Sequence, residues 1–116
     1  MKNVRFPLLV LSLCLVLPLM AQKEEKSEKA IKAVINQFFE GLEKGDTALL
    51  KSTCTSQPVL QTYMADRDGK WQVFTENFSE FVTFVGTPTK DKYKEQIEFD
   101  AVLSEASLAS VWTPYK

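Results

Sequence analysis

Between Ser27 and Lys44 the apolar residues Ile31, Val34, Ile35, Phe38, Phe39 and Leu42 recur at three- and four-residue steps. That spacing puts them on one side of a helix, with Ser27 in the N-cap position. At the far end Gly45 suits the left-handed residue after a helix, and Asp46 caps a second, short helix carrying Ala48, Leu49 and Leu50. Pro58 closes this pair. Val59 to Ala65 is rich in β-branched and aromatic residues and predicts a strand. Asp66-Arg67-Asp68-Gly69 supplies a turn, and Lys70 to Phe74 returns as the second arm of a hairpin.

Thr75 is then expected to cap a third helix reaching Val85, whose Phe78, Phe81, Val82 and Val85 share a face, with Gly86 and Pro88 stopping it. The clearest alternation follows: Tyr93, Glu95, Ile97, Phe99, Ala101 and Leu103 are mostly apolar, while Lys94, Gln96, Glu98 and Asp100 lie between them. A strand with its odd positions buried is expected there. Ala106 to Thr113 resumes the alternation and predicts a second long strand paired back on the first.

Ahead of all this, Lys2 and Arg5 precede an apolar run from Phe6 to Met20 that ends at Ala21-Gln22. A positive start, a hydrophobic stretch of about a dozen residues and a small residue at the cut are the parts of a secretory signal peptide. The run is short of the roughly twenty residues that span a bilayer, and Pro7 and Pro18 interrupt it. Leu19 and Met20 make the cut site imperfect, so an uncleaved anchor is the alternative. The expected organisation is a signal at 1–21, a charged leader at 22–28 and one domain at 29–116, exported to the periplasm or the exterior, with no membrane attachment after cleavage.

Removing Lys2 and Arg5 from the fourteen basic residues leaves twelve against fifteen acidic ones, a net charge of −3 for the mature chain. Nucleic acid is therefore not an expected partner, because phosphate recognition needs a basic surplus on one face. Histidine is absent, which removes the commonest general base, the usual zinc ligand and any Ser-His or Cys-His pair. Cys14 falls in the signal, so Cys54 has no internal disulfide partner and reads as a small buried hydrophobe. Asp66 and Asp68 are too few acids for a calcium loop, so no metal is expected. Asn77-Phe78-Ser79 matches the glycosylation pattern, but on a predicted helix it reads as a chance match.

Helix, short capped helix, hairpin, helix and long antiparallel strands make an α+β order. With Phe38-Phe39-Glu40-Gly41-Leu42-Glu43-Lys44-Gly45-Asp46 ending the first helix, the aromatic third helix, and the closing Trp112-Thr113-Pro114-Tyr115, the chain resembles the nuclear-transport-factor-2-like (SnoaL-like) superfamily over about Lys29 to Tyr115. Within it the chain resembles in particular the small exported bacterial members with a lumazine-binding-like label. The resemblance implies a cone: a curved antiparallel sheet packed on about three N-terminal helices, with an apolar pocket at the open end. It also implies two further strands after the Trp-Thr-Pro-Tyr region, so by this measure the domain is incomplete at its C-terminus.

Superfamily members include ligand binders, isomerases, dehydratases and interaction modules, and fold alone does not choose among them. The leading expectation is a non-catalytic domain that binds an apolar or aromatic small molecule, with Phe38, Tyr63, Phe81, Phe99 and Trp112 as ligand-binding residues and no cofactor. A dimerising interaction module is the alternative, with a homodimer as its simplest form. An isomerase or dehydratase is the second alternative. Such an enzyme would use Asp100 and Tyr63 as its acid and base. Asp100, however, falls in the polar register of its strand.

Overall fold

The described residues form three helices and two small antiparallel hairpins, in the order α1 (Phe6–Lys44), α2 (Thr47–Ser52), β1 (Leu60–Ala65), β2 (Trp71–Glu76), α3 (Phe78–Gly86), β3 (Ala101–Glu105) and β4 (Leu108–Trp112). The structure, a computed structural model, describes residues 6–90 and 94–115. Lys2, Arg5 and Tyr93, which carry parts of the expected signal and strand, lie outside the described residues. The coarse α+β class is as expected. Two compact units divide the chain: Met1–Ala33 with Phe99–Pro114, and Val34–Glu98 with Tyr115–Lys116.

Helix α1 begins well before Ser27, which is therefore interior rather than a cap; its hydroxyl donates to the Lys23 carbonyl at 2.9 Å. The reason is local. Residues 19–30 are almost entirely good helix formers, and a Ser inside such a run satisfies itself against the preceding turn instead of stopping the helix. The expected apolar stripe is real, since Ile31, Ile35, Phe38, Phe39 and Leu42 are all half-buried, with Val34 at its exposed margin.

In the second unit, the end of α1 turns into α2 through Gly45, whose φ is +65°. The amide of Asp46 donates to the Gly41 carbonyl at 2.9 Å, and the Asp46 carboxylate accepts from the Leu49 amide at 3.0 Å. This N-cap satisfies a helix-end donor that would otherwise have no partner. Leu50, on α2, is wholly buried, and Gly41 is buried beside it. Helix α3 packs on α2 and is capped by Asn77, two residues later than the expected Thr75. Its Phe78, Phe81, Val82 and Val85 are half-buried, as their spacing predicts.

Strands β1 and β2 pair from Leu60 opposite Glu76 to Ala65 opposite Trp71. Asp66 builds the connecting turn: its Oδ1 accepts from the amides of Asp68 and Lys70, each at 2.9 Å, and its Oδ2 accepts from Gln72 Nε2 at 2.8 Å. Gly69 provides the positive φ, +79°.

In the first unit, β3 pairs with β4 from Ala101 opposite Trp112 to Glu105 opposite Leu108. The expected strand starting near residue 93 is shorter here; Ile97 makes only an isolated bridge to Tyr115, within the second unit. Ile97 and Phe99 are half-buried as expected, but within β3 the covered face is the other one. Val102 and Val111, directly opposite each other, are half-buried, while Leu103 is 70% exposed. Alternation in a strand separates two faces, and packing decides which of them is covered.

Candidate functional site

Phe38, Tyr63 and Phe81 fall in one unit and Phe99 and Trp112 in the other. Each has its own local environment. Phe38, half-buried on α1, meets Phe39 edge-on with ring centres 5.5 Å apart. Tyr63 is 66% exposed and tilts against Trp71 at 5.4 Å. These two sit diagonally on one face of the hairpin, because Tyr63 is opposite Val73 and Ala65 opposite Trp71.

Phe99 is half-buried, with the Lys32 ammonium 5.5 Å from its ring centre. Lys32 also pairs with Glu28 at 2.6 Å, one turn back on α1. Trp112 is 66% exposed, and its carbonyl accepts from the Asp100 amide at 3.0 Å, extending the β3–β4 ladder by one rung. Asp100 itself is exposed, as its polar register suggests.

Of the five residues, Phe81 faces a defined hollow. It lies between β2 and α3, holds about 540 Å³, and is walled by Phe74, Phe81 and Phe84 with Glu76, Asn77 and Glu80 at its edge. Two elements aim these rings. Phe74 points to the same side of β2 as Gln72 and Glu76, by strand alternation, and Phe81 and Phe84 are one turn apart on α3. Phe81 also tilts against Phe78, with ring centres 6.3 Å apart. The sequence reading did not single out Phe74 or Phe84. Their signal was present in the three-residue step from Phe81 to Phe84 and in the aromatic end of the expected second strand.

The helix end bordering this hollow is already occupied. Asn77 Oδ1 accepts from the Ser79 amide at 2.9 Å and the Glu80 amide at 3.2 Å, and the Phe81 amide donates to the Asn77 carbonyl at 3.0 Å. Glu76 Oε1 accepts from the Thr62 hydroxyl at 3.2 Å. Among the described residues, neither Glu76 nor Glu80 has a Lys or Arg within ion-pair distance.

A second, smaller cavity of about 270 Å³ lies where α1 and α3 end, against Leu42, Glu43, Gly45, Val85 and Pro88. The Lys44 side chain at its margin pairs with Glu40 one turn earlier on α1, and this hydrogen bond and charge raise the Lys44 pKa above its ordinary 10.5. Cys54 is half-buried, its thiol directed at the Leu50 carbonyl at 3.5 Å. Among the described residues no helix is long and apolar enough to cross a membrane, and no cluster of acids, His or Cys is disposed to hold a metal. No family model, no curated protein and no solved structure matches this chain.

Proposed function

We propose that the chain is a non-catalytic small-molecule-binding domain of the nuclear-transport-factor-2-like type, exported from the cell, with its sheet curved round the helices as a cone. The observation that carries this reading is the phenylalanine-walled hollow between β2 and α3. Small-molecule sites are concave, mostly apolar, and carry a few polar groups that fix orientation. Phe74, Phe81 and Phe84 supply the apolar walls here, and Glu76, Asn77 and Glu80 the polar edge. Phe38, Tyr63, Phe99 and Trp112 do not line this hollow.

Catalysis fits less well. Tyr63 and Asp100 are both exposed, whereas an acid–base pair needs a shared, water-poor site in which its pKa values can be tuned. The test of binding is titration of the isotopically labelled chain with indole, followed by amide NMR. Saturable shifts confined to Phe74–Phe84 are expected, and their absence up to the solubility limit of indole would overturn the reading.

A dimerising interaction module is the second reading, favoured by one specific feature. Leu103, Leu108 and Trp112 are all exposed and lie on a single face of the β3–β4 hairpin. Exposed apolar groups gathered on one face mark association surfaces more often than singly scattered ones do. A concentration-dependent mass in sedimentation, abolished by Leu103→Glu, separates this reading from simple ligand binding.

A further inference from the structure

We infer that the hollow between β2 and α3 selects a cationic aromatic or alkyl amine over neutral and anionic molecules of the same shape; this rests on the binding reading above and names its ligand class. Three phenylalanine rings and two carboxylates meet at one concavity: Phe74, Phe81 and Phe84 form the walls, and Glu76 and Glu80 stand at the edge. An ammonium group is attracted to aromatic faces by the ring quadrupole, and a carboxylate at the margin adds to that attraction.

Neither carboxylate is engaged by a cation of the described chain. No Lys or Arg among the described residues lies within ion-pair distance of Glu76 or Glu80, and the hydroxyl of Thr62 that reaches Glu76 is neutral. Two other acids of the described residues, by contrast, are paired: Glu28 with Lys32, and Glu40 with Lys44.

The opposite assignment, an anion at the start of α3, fails on its donors. A helix N-terminus attracts anions through unsatisfied amides and its positive dipole end. Here the amides of Ser79, Glu80 and Phe81 are all taken by Asn77, through its side-chain oxygen and its carbonyl. Glu80 sits in the same first turn and occupies the dipole with a negative charge of this chain's own. An incoming carboxylate or phosphate would meet two carboxylates and find few donors.

The test compares three probes of one shape: phenethylammonium, 2-phenylethanol and phenylacetate. Binding to the full chain is followed by amide shifts over Phe74–Phe84 at low and at raised salt. Affinity is expected to fall by about tenfold from the cation to the alcohol and further to the anion, with the cation's advantage shrinking as salt screens it. Glu80→Gln and Glu76→Gln, conservative changes at exposed positions, should each lower the ratio of cation to alcohol affinity several-fold. If the alcohol binds at the hollow as tightly as the cation, the charge selectivity is wrong and the binding reading survives. If none of the three shifts these amides, both fall together.

Discussion

Gly41 lies directly against the backbone of Leu50: a Cβ at position 41 would stand 2.8 Å from the Leu50 amide nitrogen and 3.1 Å from its Cα. Backbone atoms held in a capped helix cannot step aside as the tip of a flexible side chain can. Gly41→Ala is therefore expected to destabilise the fold by roughly 1–3 kcal/mol, the range for overpacking a tight contact. The urea midpoint should drop with the slope unchanged; an unmoved midpoint would mean that α1 and α2 separate at little cost. Leu50→Ala, at the one fully buried apolar side chain among the described residues, should cost about 2–5 kcal/mol.

The β3–β4 loop is only Ala106-Ser107, since Glu105 pairs with Leu108, and Ala106 has φ of +50°. An L-residue with a Cβ is strained in that region, and a two-residue hairpin loop favours glycine there. Ala106→Gly should relieve the strain and give up some unfolded-chain entropy, for a net gain of roughly 0.5–1 kcal/mol. A rise in melting temperature checks it. A fall would mean that Ala106 leaves the positive-φ region in solution.

Lys44 gives the chain a definite alkaline dependence. Its pKa is raised by the hydrogen bond from its ammonium to Glu40 and by the charge of that carboxylate. A group whose folded pKa is raised stabilises fully below its unfolded value and loses that contribution as pH climbs through the folded one. The gap in melting temperature between the native chain and Glu40→Gln should accordingly be present at neutral pH and close as pH rises past the ordinary 10.5 of Lys44. Its size is small, because both side chains are exposed. A gap that stays constant into strong alkali would show that Glu40 acts through something other than Lys44.

What was legible in the sequence was whatever local chemistry dictates. Gly45 and Asp46 announce the α1–α2 hinge because a left-handed residue and a side-chain cap are properties of one or two positions. Asp66 and Gly69 mark their turn for the same reason. The start of α1 was not legible at Ser27, since a cap residue is only a cap where the chain before it declines to be helical. Nor was the covered face of β3: Ala101 and Leu103 continue the apolar register of the half-buried Ile97 and Phe99, yet Val102 pairs with Val111 on the half-buried side. For the candidate site, the aromatic residues could be picked out one by one. Their grouping depends on how β2 meets α3, and neither strand alternation nor helix spacing contains that distance. Phe81 stands out by its helix spacing, while its neighbours at the hollow, Phe74 and Phe84, do not.

Tyr63 is where the sequence expectation of a ligand-binding ring meets a structural occupation, because its ring already rests against Trp71 at 5.4 Å on the exposed face of β1–β2. Diagonal aromatic pairs across antiparallel strands stabilise hairpins, and a tilted aromatic contact contributes about 0.5–1.5 kcal/mol beyond area burial. A double-mutant cycle of Tyr63→Ala and Trp71→Ala should return a coupling energy in that range, with the direct partner Val73 left in place. Such a coupling would identify Tyr63 as part of what holds the hairpin shut, and its substitution would then weaken ligand binding only through lost stability. A coupling near zero would free the Tyr63 ring, and the two exposed aromatics would join the list of surfaces on which a ligand or a partner can stack.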